Sequence, residues 1–252
     1  MLNRLIPYFG GKGQIAKLYP PPRCNTIVEP FAGGANYALR YHHRKVILID
    51  KDVRLYKLWK WLIEADPKEI MALPTEITDL REMDLREEAK YLIGWWLGNM
   101  SENPRHVPTS WMTERWLVDK GHLTNFWGAV IRNKIAKRVL PAIRHWRAHQ
   151  GDFSLASNLV QEEATWFIDP PYHNSGTHYK ESSKNIDFDA LGDWCRSLPG
   201  QVIVCEQEGA DWLPFQPLCN FSRKGRPGPK TGREVVWLSD GNYRKQMKGF
   251  GL

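Results

Sequence analysis

The sequence predicts an α/β protein built on one open, mostly parallel sheet that is interrupted by a helical insertion. Short apolar strands alternate with helical stretches in the first and last parts of the 252-residue chain. Between them lies a long block whose apolar residues recur at helical spacing. Strands separated by helices favour parallel pairing, because each crossover helix returns the chain to the same end of the sheet.

The first alternating part has the pattern of a βαβ unit. Residues 26–28 form an apolar strand candidate, Gly33 and Gly34 mark a turn into a helix, and residues 46–49 form a second strand that stops at Asp50. The acid follows the glycines by about twenty residues, the spacing at which a carboxylate can accept hydrogen bonds from ribose hydroxyls. The glycine pair alone is equally typical of a tight strand-to-helix turn.

The middle block reads as helices, and we divide the chain into a first catalytic part (1–56), a helical insert (57–146) and a second catalytic part (147–252). A loop rich in Pro, Asn and Ser, residues 101–110, separates two periodic stretches. Half of the 12 tryptophans lie in residues 95–146. The periodic positions are Leu85, Ala89, Leu92, Trp96 and Met100, then Leu123, Phe126, Trp127, Val130 and Ile131.

The second alternating part contains three strand candidates, residues 164–169, 201–207 and 234–240. A helix over residues 188–198 separates the first two and is closed by Pro199 and Gly200. Residues 222–234 are expected to form a basic loop broken by Gly and Pro.

The composition is that of a folded protein with a preference for anionic partners. Hydrophobic residues make up 42% and charged residues 25%, and the net charge of +7 favours nucleic acid without identifying it. The four cysteines form no C-x-x-C pair, so reduced thiols are expected and no zinc site is implied. No signal peptide and no membrane span is apparent, which predicts a soluble protein in the cytoplasm of a bacterial or phage-infected cell.

Three acids follow three predicted strands: Glu29, Asp50 and Asp169. In an open α/β sheet, ligands gather beyond the carboxyl ends of the strands, so the three acids predict a single binding crevice. Asp169 opens the tetrapeptide Asp-Pro-Pro-Tyr, whose four fixed residues after an apolar strand make it the most specific motif of the chain.

This tetrapeptide fits methylation of an exocyclic amine. The N6 lone pair of adenine is delocalised into the ring, and it becomes nucleophilic when the NH2 group is drawn toward tetrahedral geometry. Asp169 can accept one N–H and the Pro170 carbonyl the other, which directs the lone pair at a sulfonium methyl group. The fixed φ of proline orients that carbonyl, and Tyr172 offers a face on which a flipped base can stack.

The chain resembles Dam-like N6-adenine DNA methyltransferases of the D12 class, alpha group. Five motifs occur in the order of that family: YFGGK (8–12), VEPFAGG (28–34), LIDKD (48–52), GDF (151–153) and DPPY (169–172). The resemblance implies a Rossmann-like sheet that uses S-adenosylmethionine, with an inserted helical target-recognition domain. It also implies methyl transfer to N6 of a flipped adenine at a specific short sequence in double-stranded DNA.

The resemblance also assigns residues position by position. Lys12 could instead be a solvated lysine, and Asp152 a turn or cap residue. Asp52 stands where the family often has Asn, which leaves its role open. The implied catalytic residues are Asp169, Pro170, Pro171 and Tyr172. The implied cofactor-binding residues are Tyr8, Lys12, Glu29, Pro30, Phe31, Gly33, Gly34, Asp50, Asp152, Phe153 and Asp169.

Basic side chains provide candidates for DNA contact. A solvated helix face is the commoner role for residues 132–138, whereas five cations on a Gly/Pro-rich loop can reach phosphates more readily. The histidines show no ligand spacing, and methyl transfer from a sulfonium needs no metal. The predicted DNA-binding residues are Lys12, Arg132, Lys137, Arg223, Lys224, Arg226, Lys230 and Arg233.

Three alternatives remain open at this stage. The same pocket chemistry would serve another planar amine, such as cytosine N4 or RNA adenine. The chain could also be an inactive DNA-binding module of the same fold, while a nicotinamide oxidoreductase is disfavoured because G-x-G-x-x-G is absent. The recognised DNA sequence, a partnership with a restriction nuclease and the oligomeric state do not follow from the sequence.

Overall fold

The computed structural model describes residues 2, 4–8, 10–98, 101–110, 112–114, 126–174, 183–222 and 231–240. Seven strands in this part of the chain form one sheet, in the spatial order β3-β2-β1-β4-β5-β7-β6. Strands β1 to β5 run parallel to one another, and β7 runs antiparallel to both β5 and β6. The strands are β1 Thr26–Glu29, β2 Lys45–Asp50, β3 Arg147–Gln150, β4 Ala164–Ile168, β5 Gly200–Gln207, β6 Gln216–Ser222 and β7 Thr231–Leu238.

Helices connect the parallel strands and fill the middle of the chain. The helix Asn36–Arg40 joins β1 to β2, and Phe188–Ser197 precedes β5, as predicted. A π-helical turn, Ile135–Val139, links two α-helices of the middle block, and 3-10 turns occur at Ala16–Leu18 and Ser183–Asn185. The α-helices are α1 Asn36–Arg40, α2 Val53–Glu64, α3 Pro67–Ala72, α4 Glu87–Gly98, α5 Ala129–Lys134, α6 Leu140–Ile143, α7 Leu155–Leu159 and α8 Phe188–Ser197.

Alternating residues of the central strands fill two hydrophobic layers. Ile27, Phe167 and Ile203 face the layer that contains α1 to α6. Val28 and Trp166 face the opposite layer, where α7 and α8 pack. Because successive side chains of a strand point to opposite faces, the apolar runs of β1, β4 and β5 can fill both layers at once.

The helical middle of the chain shares its core with one face of the sheet. Trp59 and Trp95 are fully buried in the same cluster as Leu48 of β2 and Phe167 of β4. The predicted start of the insert at residue 57 falls inside α2, which packs against β2 and β3. The division into catalytic and recognition parts stays a prediction.

Two strands were missed by the sequence patterns, and one predicted loop is partly a strand. β3 is a half-exposed edge strand with the sequence RAHQ, and β6 carries Pro217 and an irregular register beside it. Residues 222 and 231–234 belong to β6 and β7 rather than to the predicted basic loop, so Arg233 lies on a strand. Edge strands need no continuous apolar run, which is why hydrophobicity did not reveal them.

The predicted helix boundaries are partly wrong in the middle block. α4 contains Ala89, Leu92 and Trp96, but Leu85 precedes the helix. Phe126 and Trp127 lie in a bend, and α5 begins only at Ala129. Leu123 and Met100 lie outside the described residues. Among the described helices, none is long and apolar enough to cross a membrane.

Candidate active site

The carboxyl ends of the parallel strands bring the predicted acids to one edge of the sheet. Val28 pairs with Trp166, so Glu29 at the end of β1 lies near Asp169, which follows β4. Asp50 at the end of β2 pairs with Gln150, so residues 151–153 follow β3 beside it. The sheet therefore places all three acids, together with Asp152 and Phe153, along a single edge, as the sequence predicted.

Backbone hydrogen bonds tie the glycine turn after β1 to the end of β2. The Ala32 N–H donates to the Ile49 carbonyl at 3.0 Å, and the Gly33 N–H donates to Oδ2 of Asp50 at 2.8 Å. Oδ1 of Asp50 accepts from the Asp52 N–H at 2.9 Å, and the Trp59 indole donates to the Gly33 carbonyl at 2.9 Å. The Asp50 carboxylate is thus held in one orientation by two backbone donors.

Asp52, which stands where the resembled family often has Asn, has a structural role. Its side chain caps the N-terminus of α2 by accepting from the Arg54 N–H, and it forms a salt bridge with the Arg54 guanidinium at 2.6 Å. A carboxylate caps a helix as well as an asparagine does and also interacts favourably with the helix dipole. The Asp52 side chain therefore fixes α2 behind the Asp50 turn.

Gly33 is required both by its backbone and by its neighbour Tyr8. Its φ is +46°, and a Cβ atom there would lie 3.3 Å from Cδ1 of Tyr8. Tyr8 also packs edge-on against the buried Trp95, with ring centroids 6.0 Å apart. The aromatic ring of the YFGGK motif is therefore seated directly against the glycine turn of the EPFAGG motif.

Replacing Gly33 by alanine is expected to lower the free energy of unfolding by about 1–2 kcal/mol, because the left-handed backbone strains any residue with a Cβ. The added methyl group also presses on Tyr8. Chemical denaturation measures the loss. Ala35 in the same turn already has a φ of 45°, so Ala35→Gly is the matched control and should change stability by less than about 1 kcal/mol. An equal loss in both variants would contradict the explanation.

Glu29 is a buried acid without a cationic partner among the described residues. It is 2% exposed, and its Oε1 accepts from the Ala38 N–H of α1 at 2.6 Å. Burial raises the pKa of Glu29 to about 8, partly offset by that hydrogen bond. A buried carboxyl group with a raised pKa favours a positively charged ligand, because the ligand's charge would restore its ionised form.

Asp152 and Phe153 occupy the turn after β3. Oδ1 of Asp152 accepts from the Ser154 hydroxyl at 2.6 Å and from the Ser154 N–H at 2.9 Å. The Ser154 hydroxyl is the main cause of the lowered pKa of Asp152. The Phe153 ring stacks on Phe31 at 6.0 Å, an arrangement that joins the turn after β1 to the turn after β3.

Lys12 forms a buried ion pair with Asp169. Its Nζ lies 2.6 Å from Oδ1 of Asp169 and 3.3 Å from the Gly10 carbonyl, and the side chain is only 6% exposed. The ammonium also lies 4.6 Å from the centroid of the Tyr172 ring. The YFGGK and DPPY motifs are therefore in direct contact, and a surface role for Lys12 is excluded.

The surroundings of Asp169 perturb its titration. Burial raises the pKa of Asp169 to about 6; the Lys12 ammonium opposes this effect, and the Glu234 carboxylate adds to it. Burial would lower the pKa of Lys12, but Asp169 and Glu234 outweigh burial and raise it. Lys12 therefore stays charged at neutral pH, and Asp169 is ionised above about pH 6.

Two buried acids complete the site and were missed by the sequence analysis. Oε2 of Glu206, at the end of β5, accepts from the His173 N–H and from the Trp212 indole, both at 3.1 Å. Glu234 on β7 accepts from the Tyr172 hydroxyl. The available signal was an acid within each of two apolar strands, VIVCEQ and EVVWL, whose carboxyl groups need buried partners.

The predicted DNA-binding cations differ in their surroundings. Lys137 is exposed, whereas Nη1 of Arg132 donates to the Leu73 carbonyl at 2.6 Å within the helical block. Arg233 is exposed and forms a salt bridge with Glu208 at 2.7 Å. Arg223, Lys224, Arg226 and Lys230 lie outside the described residues.

The seven-stranded sheet, in which β7 alone is reversed, carries acids at the ends of β1 and β2 and after β4 and has a Rossmann-like α/β architecture. The sequence model of the D12 class N6 adenine-specific DNA methyltransferases matches residues 8–93. The resemblance inferred from the motifs is confirmed over these residues, about a third of the chain, and it supports an adenine-specific DNA methyltransferase. The match includes Tyr8, Glu29 and Asp50 but ends before Asp169.

Comparison with solved structures finds the rRNA methyltransferase AviRa from Streptomyces viridochromogenes, with 13% sequence identity and a TM-score of 0.38. That alignment covers 85% of this chain and 76% of the AviRa chain. A comparison with curated protein sequences finds no significant match.

Proposed function

We propose that the protein transfers a methyl group from S-adenosylmethionine to N6 of an adenine that is flipped out of double-stranded DNA at a specific short sequence. The observation that carries the proposal is the buried contact between Lys12 and Asp169 at 2.6 Å, beside the Tyr172 ring. It places an anionic acceptor and an aromatic face together at the edge of the sheet where ligands of this fold bind.

The residues around the glycine turn fit the proposed methyl donor. The positive charges of its methionine part complement Glu29, the buried acid that has no cation beside it among the described residues. The Asp50 carboxylate, oriented by two backbone donors at the end of β2, is proposed to accept from ribose hydroxyls. Phe31 and Phe153, which stack on each other, offer apolar faces for an adenine ring.

The proposed chemistry requires the target amine to be held while its lone pair reacts. Asp169 accepts one N6 hydrogen and the Pro170 carbonyl accepts the other, which draws the lone pair out of conjugation with the ring. When bound, S-adenosylmethionine would supply a sulfonium methyl group, and its carbon–sulfur bond would break as the bond from N6 to the methyl carbon forms. The Asp169 carboxylate then lies where it can accept the proton that N6 must lose.

The basic segments are proposed to hold the DNA. Lys137 and the basic residues in positions 223–230 are proposed to contact phosphates, and the helical block is proposed to read the sequence. Arg132 is the weakest member of this set, because its guanidinium is bonded to the Leu73 carbonyl. With DNA as its substrate, the enzyme is proposed to act in the cytoplasm of a bacterial or phage-infected cell.

The proposed function is tested by transfer of a labelled methyl group from S-adenosylmethionine to duplex DNA. After digestion of the DNA to nucleosides, mass spectrometry should detect N6-methyl-2′-deoxyadenosine. N4-methylcytosine, or methylation of RNA only, would replace the proposal with the corresponding alternative. Absence of any transfer, together with DNA binding, would identify an inactive binding module.

The rate is expected to fall as the pH drops through about 6, because protonated Asp169 cannot accept an N6 hydrogen. The ionisation of Asp169 can be followed by measuring kcat/KM for DNA between pH 5 and 8 at constant ionic strength. A profile that is flat down to pH 5 would show that the Asp169 carboxylate is not required in its ionised form.

A further inference from the structure

Glu234 is a buried acid next to the edge strand of the sheet, and none of the sequence motifs contains it. It lies on β7, where it pairs with Gln207 of β5 on one side and Cys219 of β6 on the other. The residue is 2% exposed. Burial of an ionisable group at such a position is costly unless the group is paired, so its partners indicate its role.

One carboxylate oxygen of Glu234 interacts with three groups from distant parts of the chain. Oε1 accepts from the Tyr19 hydroxyl at 2.6 Å and from the Tyr172 hydroxyl, and the Lys12 ammonium lies 3.7 Å away. Burial raises the pKa values of Tyr19 and Tyr172 well above their ordinary range, so both hydroxyls remain donors. Two of these three partners belong to the proposed catalytic site.

Glu234 holds Tyr172 through the tyrosine hydroxyl and interacts with Lys12 through its ammonium group. The Tyr172 hydroxyl is bonded to the rigid strand β7, although Tyr172 itself follows β4 without regular secondary structure. Lys12 lies between two carboxylates, with Asp169 at 2.6 Å and Glu234 at 3.7 Å. The position of the ring and the position of the ammonium therefore both depend on one side chain.

We propose that Glu234 is a positioning residue for methyl transfer, which anchors Tyr172 as the stacking surface and shares Lys12 with Asp169. The inference rests on the proposed function of Asp169 and Tyr172. Glu234 makes no contact with the reacting atoms in this role. It acts through the two residues that it holds, as supporting groups do in sites that must keep their geometry.

Removal of the Glu234 charge should also change the titration of Asp169. Among the residues that the structure describes, the other titratable groups that interact electrostatically with Asp169 are Lys12, Tyr19, Glu29, Tyr172, Cys205 and Glu206. Burial raises the pKa of the two tyrosines and of Cys205 well above the ordinary values, so these three carry no charge at neutral pH. Glu234 and Lys12 are therefore the charged neighbours that act most directly on Asp169.

The test is Glu234→Gln, which keeps an acceptor for the two hydroxyls but removes the charge. We expect kcat to fall about 10²-fold, because small displacements at a reacting centre have effects of this size, with little change in KM for either substrate. The acid limb of the rate profile should move to lower pH, because a like charge no longer raises the pKa of Asp169. The control is Glu162→Gln, an exposed carboxylate at the opposite end of the sheet, which should change neither quantity.

Tyr172→Phe is the second variant, since it keeps the ring and removes only its bond to Glu234. It should lower kcat by a smaller factor and leave the acid limb in place, because no charge is removed. A folded Glu234→Gln enzyme with wild-type kcat and an unmoved acid limb would overturn the inference. If Glu234→Gln does not fold, a wild-type kcat in the Tyr172→Phe variant would overturn the inference. Failure of the wild-type enzyme to methylate adenine would overturn the proposed function instead.

Discussion

Asp169→Ala is expected to abolish methyl transfer to DNA, and Asp169→Asn to reduce it by about 10³-fold, the upper range for loss of one preorganised electrostatic group. The asparagine keeps the shape and one carbonyl acceptor but loses the charge that pairs with Lys12 at 2.6 Å. A scintillation assay with labelled S-adenosylmethionine measures both rates, and thermal unfolding shows whether the variants are folded.

Two variants at Asp169 are needed because Asp169 is the nearest charge partner of the buried Lys12 ammonium. In Asp169→Ala the buried ammonium keeps Glu234, 3.7 Å away, as its remaining carboxylate partner among the described residues, so altered folding can cause part of any loss. Asp169→Asn fills the same volume and separates charge from packing. Asp187→Asn is the control, because Asp187 caps α8 away from the ion pair. Undiminished transfer by folded Asp169→Ala would contradict the proposed mechanism.

Glu29→Gln is expected to weaken binding of S-adenosylmethionine by about 10- to 100-fold, the equivalent of one charge-assisted interaction. The wild-type affinity should also rise between pH 6 and pH 8, because Glu29, with a pKa of about 8, must lose its proton to pair with a cation. Calorimetry in buffers with different ionisation enthalpies should detect release of this proton in the wild type and not in Glu29→Gln.

The same substitution should stabilise the ligand-free enzyme at alkaline pH. The folded pKa of Glu29 is raised from 4.5 to about 8, so the folded state binds more protons than the unfolded state in that interval. The contribution of Glu29 to stability is therefore lost as the pH rises through this range. Glu29→Gln should add up to about 5 kcal/mol at pH 8.5 and nothing at pH 4. Equal melting temperatures of the two enzymes at pH 8.5 would contradict the burial argument.

The sequence predicted the elements that carry continuous apolar runs. Residues 46–49 and 164–168 are strands as expected, since both are covered by helical layers on each face. The edge strand RAHQ and the proline-containing β6 lacked that signal, because an edge position leaves polar side chains in solvent. Hydrophobic patterns therefore located the centre of the sheet and not its margins.

The candidate site was predictable only as far as the acids at strand ends. Parallel strands end at one edge, so the proximity of Glu29 and Asp169 follows from topology alone. The contacts of Lys12 with Asp169 and of Tyr19 with Glu234 join residues 157 and 215 positions apart. No local pattern encodes such pairs, and they appear only when packing brings the N-terminal segment against β4 and β7.

The hydrophobic core shared by the helical block and the sheet limits how the proposed recognition role of this block can change. Trp59 and Trp95 pack in the same cluster as Phe167, so the block cannot be exchanged between enzymes as a self-contained cassette without exposing one face of the sheet. Grafting it onto a related scaffold would leave unmatched apolar surfaces on both pieces. New specificity is more readily acquired by substitutions in solvent-facing loops such as residues 101–110, which leave the common core intact.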